Sequence, residues 1–291
     1  MKVGIIGNTT KPMIWDVVPE FLSWLRTKGV SDVLSKDLGK GISFGITETC
    51  DRHRIGACCD LVVAFGGDGT MLATARAIGA QETPILGVNL GGLGFLAEVV
   101  IENLTRCMEQ VLAGDYRIET RLLLEATVLN RKTKGKLFGL NDIVIDKGDF
   151  SRVIRLETYV DGEYLNTYTA DGLIVSTPTG STGYCLSTGG PILEPTLKAL
   201  VVIPISPHAL AARPVVIPDN RKIKIVVYTE HKRALLSADG QIESFLKSGD
   251  AVAIRKADHC VRLVMFQDKT FYELLRKKLK WSGGVENQES E

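Results

Sequence analysis

Five consecutive apolar residues, Leu61-Val62-Val63-Ala64-Phe65, run directly into Gly66-Gly67-Asp68-Gly69-Thr70. The apolar run has the length and content of a strand buried on both faces. The spacing predicts a glycine turn after it and a helix that restarts at Thr70 and runs to Ile78. Glycines at a strand-to-helix turn let the backbone adopt positive φ and expose N–H groups to an anion. That is a phosphate cradle by geometry, and Asp68 is the anomaly within it, because a carboxylate repels phosphate. The conflict disappears if Asp68 faces a metal ion or takes a proton from a hydroxyl. A site that holds phosphates and also deprotonates a hydroxyl is a kinase site. The plainer alternative is a tight turn in which Asp68 or Thr70 simply caps the helix.

The rest of the chain sets bounds on that reading. A formal net charge of +1 excludes a general basic field for nucleic acid. No apolar run approaches the roughly 20 residues of a membrane helix. The chain opens on a strand-like Lys2-Val3-Gly4-Ile5-Ile6, so no signal peptide is expected. The six cysteines show no CxxC spacing, and Cys58-Cys59 is vicinal. They read as reduced thiols in a cytoplasm. Cys50, His53 and Cys58 fit no familiar zinc spacing.

Two halves differ in texture. In the first, strands alternate with helices. Val3 to Ile6 is a strand, and Pro12 to Lys28 carries Ile14, Val17, Val18, Phe21, Leu22 and Leu25 at helical spacing, ended by Gly29. Pro19 within it predicts a kink or restart. Pro84 to Asn89 is a further strand, ending in Leu90-Gly91-Gly92-Leu93-Gly94, and Asn103 to Ala113 is a helix closed by Gly114. Strands separated by helices imply a parallel sheet with ligands at the carboxyl ends of its strands, where both glycine-rich turns lie.

From about Thr120 the helices vanish. Arg155 to Tyr159 and Glu163 to Tyr168 flank Asp161-Gly162, a hairpin signal. Arg221 to Tyr228 and Ala251 to Arg255 are further strands. Six of the ten prolines fall between Pro191 and Pro218, which excludes long helices there. Lys269 to Trp281 returns to helical spacing through Phe271, Leu274, Leu275 and Leu279, and the polar tail from Ser282 to Glu291 is expected to fray. The fold class is therefore α/β plus all-β. A Rossmann-like α/β domain covers 1–119 and takes back the last helix over 266–291, and an antiparallel β-sandwich domain covers 120–265.

A second constellation is Asp171-Gly172-Leu173-Ile174-Val175-Ser176-Thr177-Pro178-Thr179-Gly180-Ser181-Thr182-Gly183-Tyr184. A short strand leads into a loop dense in hydroxyls. Hydroxyls and loop amides together can bond a base, ribose and pyrophosphate, and Tyr184 offers a ring for packing. A surface Ser/Thr turn is the plainer alternative. No Lys follows Gly180 or Gly183, so this is not a Walker A loop. Asn141-Asp142 before Ile143-Val144-Ile145, and Ser237-Ala238-Asp239-Gly240-Gln241, read as turns or as ligand contacts. Phe95 walls a pocket beside the glycines or packs in the core.

Together these elements resemble the NAD kinase family, over most of the chain from Val3 to about Ile254. The most specific parts are Gly66 to Thr70 combined with Asp171 to Tyr184, in that order and separation. Asn141-Asp142, Leu93-Gly94-Phe95 and Asp239-Gly240-Gln241 fall where that family has its own. The resemblance implies an N-terminal α/β domain, a C-terminal β domain, NAD bound between them, and phosphorylation of the 2′-hydroxyl of the adenosine ribose to give NADP. It implies that Asp68 activates that hydroxyl, and that Asn141, Asp171, Thr179, Thr182 and Tyr184 hold the dinucleotide. Gly67, Gly69, Thr70, Leu72, Phe95, Asp142, Gly183, Ser187, Asp239 and Gln241 complete the expected binding set, and no protein residue is assigned to a metal.

Two departures stand out. Asp142 replaces a glutamate common in the family and is one methylene shorter. Gly183 stands where alanine is usual, which loosens the loop and widens the pocket. The expected reactants are NAD, with ATP or polyphosphate as phosphoryl donor and Mg²⁺ or another divalent cation. A cytoplasmic homodimer or homotetramer is expected, with no nucleic-acid or membrane partner. The rival readings are a lipid kinase sharing the GGDGT turn and a dinucleotide-sensing protein without turnover.

Overall fold

The computed structural model describes residues 1–42, 48–92, 94–129, 131, 135–148, 152–230, 233–267 and 270–281. Leu93, Lys269 and the tail from Ser282 to Glu291 lie outside them. The chain divides into two compact units. One comprises Met1–Ile78, Thr83–Glu119 and the described residues from Leu263 onward, and the other Gly79–Glu82 and Thr120–Arg262.

The first unit is built on a sheet whose two central strands, Leu61–Phe65 and Ile85–Asn89, are wholly buried. Leu61–Phe65 lies between Lys2–Gly7 and Ile85–Asn89, paired in parallel with both. Both faces of such a strand meet packed side chains, so every position is apolar and no alternation appears. Ser31–Ser35 and Glu48–Cys50 extend the sheet on the far side of Lys2–Gly7. Val261–Met265 pairs in parallel with Ile85–Asn89 on the other side, with Arg117–Arg121 beyond it. The chain thus moves outward from Lys2–Gly7 in one direction, then returns to its opposite edge with Leu61–Phe65. The gap between the carboxyl ends of these two strands is the switch point at which open α/β sheets hold ligands.

Ile14–Thr27 forms a single helix and does not restart at Pro19. The missing proline N–H and the ring clash cost about 3 kcal/mol in a helix interior. Against this, Ile14, Val18, Phe21, Leu22 and Leu25 are all buried on one face, and each such side chain stabilises by about 1.5–3 kcal/mol. Five burials outweigh one lost hydrogen bond. Phe21 meets Phe65 edge to face at 5.6 Å between ring centroids, which ties the helix to the central strand. Leu104–Ala113 ends at Gly114 in the left-handed conformation, φ 78°, as the glycine there requires.

The second unit is a pair of six-stranded sheets, each antiparallel throughout. One runs in the spatial order Val215–Pro218, Ala199–Ile205, Gly172–Ser176, Asp142–Asp146, Ala234–Ala238, Gln241–Leu246. The other runs Glu163–Ala170, Ile154–Val160, Ile223–Tyr228, Ala251–Lys256, Leu124–Val128, Lys136–Gly139. Ile143, Leu173, Val175 and Leu200 of the first sheet share one buried core with Leu124, Leu156, Ile223 and Val252 of the second, which makes the unit a sandwich. Asp161 and Gly162 adopt φ 50° and 90° between Val160 and Glu163, the two positive angles a tight hairpin demands.

Candidate active site

Three loops converge at the carboxyl ends of adjacent parallel strands in the first unit, after Gly7, Phe65 and Asn89. Backbone bonds stitch them at their bases, Asn8 N–H to Phe65 O at 2.9 Å and Gly66 N–H to Val88 O at 2.8 Å. The helix begins at Asp68, two residues earlier than its spacing predicts. The carbonyl of Gly67 accepts from the amides of both Thr70 and Met71, at 2.9 and 3.1 Å, and so closes the first turn. None of Gly66, Gly67 and Gly69 has positive φ, contrary to expectation. Glycine is needed here for space instead. A Cβ on Gly66 would lie 2.1 Å from Thr70 Oγ1, while on Gly67 and Gly69 it would meet nothing within 4 Å. These two glycines face a cavity of about 410 Å³ that Asn8, Lys11, Arg52 and Thr70 also line.

Asp68 does not cap its own helix. Its Oδ2 accepts from Phe95 N–H at 3.0 Å and its Oδ1 from Leu96 N–H at 2.9 Å. A Cβ on Gly94 would sit 2.3 Å from Oδ1, so the glycine at 94 is what lets the carboxylate reach these amides. Asn89 in turn pins this loop, bonding Gly91 N–H and Gly92 O through its side chain, each at 2.9 Å. Arg52 is fixed by Asp37, at 2.6 Å from Nη2, and donates to Gly7 O at 2.7 Å. Partial burial alone would raise Asp37, but hydrogen bonding and charge from Arg52 hold it below the usual carboxylate range. Leu72 is half-buried and lines neither of the two cavities described in this section.

In the second unit, Asn141, Asp142, Tyr184 and Asp239 line a cavity of about 400 Å³ with Asp146 and Ser237. Asp239 sits at φ 51° in the two-residue hairpin turn with Gly240, as the turn reading has it. Its carboxylate also binds across the sheet, accepting from the amides of Leu140, Asn141 and Asp142 at 3.1, 2.7 and 3.3 Å. It therefore fixes the backbone of the Asn141-Asp142 pair. Asp142 is 4% exposed. Burial, and second the charge of Asp239, push its carboxyl up to about 7.

The hydroxyl-rich stretch is not an open loop. Thr179–Thr182 is one 3₁₀ turn and Tyr184–Ser187 one short helical turn. Most of its hydroxyls donate to nearby backbone: Thr177 to Leu140 O at 2.6 Å, Ser181 to Pro178 O at 2.6 Å, and Thr182 to Thr179 O at 3.2 Å. Thr179 Oγ1 accepts from Arg121 Nη1 at 3.4 Å. The cluster thus holds its own shape and presents Tyr184, 44% exposed, to the cavity. A Cβ on Gly180 would lie 2.0 Å from Asn141 O, so this glycine brings the turn against Asn141. On Gly183 it would lie 3.3 Å from Asn141 Nδ2, a tight but movable contact. Asp171 pairs with Lys147 at 2.6 Å. Ser187 and Gln241 are exposed, and with Asp171, Thr179, Thr182, Gly183 and Phe95 they lie outside the two cavity linings. Sequence reasoning did not single out Gly94, Gly180, Arg52 or Lys11 as site residues; a glycine's close approach becomes visible only when its distant neighbour is placed.

Among the described residues, no group of three or more His, Cys, Asp or Glu side chains is placed to hold a metal ion. Cys50 and Cys58 approach to 3.7 Å between sulfurs, and none of the six cysteines forms a disulfide.

A strand-glycine-helix turn beside an amide-anchored carboxylate, in a chain that also carries a β-sandwich, is an arrangement suited to a phosphotransferase of the kinase type. The family models agree: residues 3–116 match the ATP-NAD kinase N-terminal domain and residues 140–266 the ATP-NAD kinase C-terminal domain. The chain belongs to the NAD kinase family. It is 42% identical over 284 residues to the NAD kinase of Geobacter metallireducens, covering 96% of this chain and 98% of the relative. It is 40% identical over 289 residues to that of Moorella thermoacetica, covering 99% and 92%. Yeast NADH kinase, solved in complex with NADH, superposes with a TM-score of 0.91 at 26% identity over 99% of this chain and 90% of its own. An NAD kinase from Archaeoglobus fulgidus, solved with ATP, shares the fold with a TM-score of 0.76 at 24% identity over 97% and 100%. These matches do not favour the lipid-kinase or sensor readings.

Proposed function

We propose that this chain transfers the terminal phosphoryl group of ATP to the 2′-hydroxyl of the adenosine ribose of NAD, with Asp68 as the proton acceptor. The ribose oxygen attacks the γ-phosphorus in line. A new O–P bond forms, the bond to the β,γ-bridging oxygen breaks, ADP leaves, and the hydroxyl proton passes to Asp68 and then to water. The observation that carries this reading is the anchoring of Asp68 by two backbone amides beside the open glycines 67 and 69. The carboxylate is oriented in advance, so little is lost to reorganisation as charge develops.

The donor phosphates bind at the first turn of the Asp68–Ile78 helix, where the leading N–H groups of Asp68 and Gly69 have no intrahelical acceptor and those of Thr70 and Met71 are bonded to Gly67 O. Lys11 and Arg52 add charge in the same cavity. The dinucleotide is held by Asn141, Asp142 and Tyr184, with Phe95, Asp171, Thr179, Thr182, Gly183, Ser187, Asp239 and Gln241 supporting that set. Mg²⁺ enters as part of the nucleotide. Among the described residues no carboxylate cluster is assembled, which suits an ion that would keep several waters and take its remaining ligands from substrate phosphates. Bound there, it offsets the charge on the transferred group.

ATP is favoured over polyphosphate by the family description and by the ATP-bound relative. The protein is proposed to act in the cytoplasm, which its six unbridged cysteines support, as a homodimer or homotetramer. No helix among the described residues is long and apolar enough to cross a membrane. The test is to incubate pure protein with NAD, ATP and Mg²⁺ and to detect NADP with an NADP-specific dehydrogenase. NADP formation supports the reading, whereas NAD binding in a calorimeter without NADP contradicts it.

A further inference from the structure

The helix Phe271–Leu279 lies beyond the residues that either family model matches. Its start is locked by a capping box in which Thr270 and Glu273 satisfy each other's backbone amides. Leu275 is its buried anchor. Three residues on, one turn along the same face, Lys278 directs its ammonium inward. Nζ lies 4.0 Å from Asp68 Oδ2 and 4.9 Å from the centroid of the Phe95 ring. Phe95 is the residue whose amide already binds Oδ2. Asp68, Phe95 and Lys278 thus form a closed triangle, with the cation both paired to the carboxylate and seated on an aromatic face. Only 27% of the lysine side chain is exposed, so it is held there rather than trailing in water.

This resolves the anomaly of a carboxylate in a phosphate cradle. Charge repulsion falls off only with the inverse of distance, so an uncompensated Asp68 opposes a polyanionic donor arriving at the adjacent glycines. We propose that Lys278 is a positioning residue for phosphoryl transfer, an ammonium from the C-terminal helix that neutralises Asp68 toward the donor triphosphate and holds its carboxylate in place. The proposal rests on the reading of Asp68 as the proton acceptor of a kinase.

The test is steady-state kinetics of wild type, Lys278→Met and Lys278→Arg, varying ATP at saturating NAD and NAD at saturating ATP, with the melting temperature of each. Methionine keeps the stem and removes the charge. Lys278→Met is expected to lower kcat/KM for ATP by about tenfold or more while KM for NAD stays within about twofold. Lys278→Arg is expected to remain within about threefold of wild type on both substrates. A Lys278→Met enzyme within about twofold of wild type in kcat/KM for ATP overturns the proposal. So does an arginine variant as impaired as the methionine one at an unchanged melting temperature. A wild-type protein that forms no NADP removes the kinase reading itself, and the proposal with it.

Discussion

Asp68 owes its placement to a residue without a side chain. Its carboxylate reaches the amides of Phe95 and Leu96 because Gly94 leaves the space open. Gly94→Ala is therefore expected to displace the carboxylate and lower kcat by about a hundredfold, as misplacement of a reacting group by an ångström does. Gly69→Ala has room within the protein and is expected to raise KM for ATP with a smaller effect on kcat. Steady-state kinetics with the two variants side by side checks this. A second residue-scale consequence concerns Asp142, raised from 3.8 to about 7 by burial and then by Asp239. A carboxyl whose pKa rises on folding favours the folded state while protonated. Its contribution is complete below the unfolded value and is lost as pH climbs through about 7. Three pKa units correspond to about 4 kcal/mol. The wild-type melting temperature is expected to fall between about pH 4 and pH 7, and Asp142→Asn to flatten that slope and gain stability at the upper end. Thermal unfolding across that range is the measurement, and parallel curves for the two proteins contradict the assignment.

At the scale of elements, local chemistry was legible where one rule dominated. The apolar run at Leu61–Phe65, the Asp161-Gly162 hairpin and the Gly114 helix end all formed as their residues dictate. Misreadings arose where a contact outweighed a propensity. Pro19 argued for a break in Ile14–Thr27, yet five buried side chains hold the helix continuous. Pro19→Ala is accordingly expected to raise the stability of this unit by about 1–2 kcal/mol, the restored hydrogen bond being partly offset by the freer unfolded chain. A thermal or urea melt followed by the fluorescence of Trp15 and Trp24, on the same helix, reads this out. The glycines of the Gly66–Thr70 segment suggested positive φ because that is glycine's commonest use, but here Gly66 makes room for Thr70, and Gly67 and Gly69 face an open cavity. The hydroxyls from Thr177 to Thr182 read as ligand groups. In the structure Ser181 and Thr182 donate within their own turn and Thr177 donates to Leu140 O, internal bonds that local composition does not reveal.

At the scale of the molecule, sequence texture separated strand-helix alternation from the all-strand half, and each unit buries a core of its own. What no local pattern could supply were the long-range pairs within each unit. Asp239 meets Asn141 from 98 residues away, and Asp68 meets Leu96 from 28. Such pairs exist only once strand order is set: the parallel neighbours Leu61–Phe65 and Ile85–Asn89 bring Asp68 to Leu96, and the antiparallel neighbours Asp142–Asp146 and Ala234–Ala238 bring Asp239 to Asn141. The proposed mechanism therefore depends on one carboxylate whose surroundings are assembled from distant parts of the chain. Its most direct test is Asp68→Asn, assayed for NADP formation at saturating NAD and ATP, with NAD affinity measured in parallel by calorimetry. The expected result is a kcat lower by about 10²–10⁴-fold with NAD affinity within about twofold of wild type. A variant that keeps more than about a tenth of the wild-type rate contradicts the role given to Asp68.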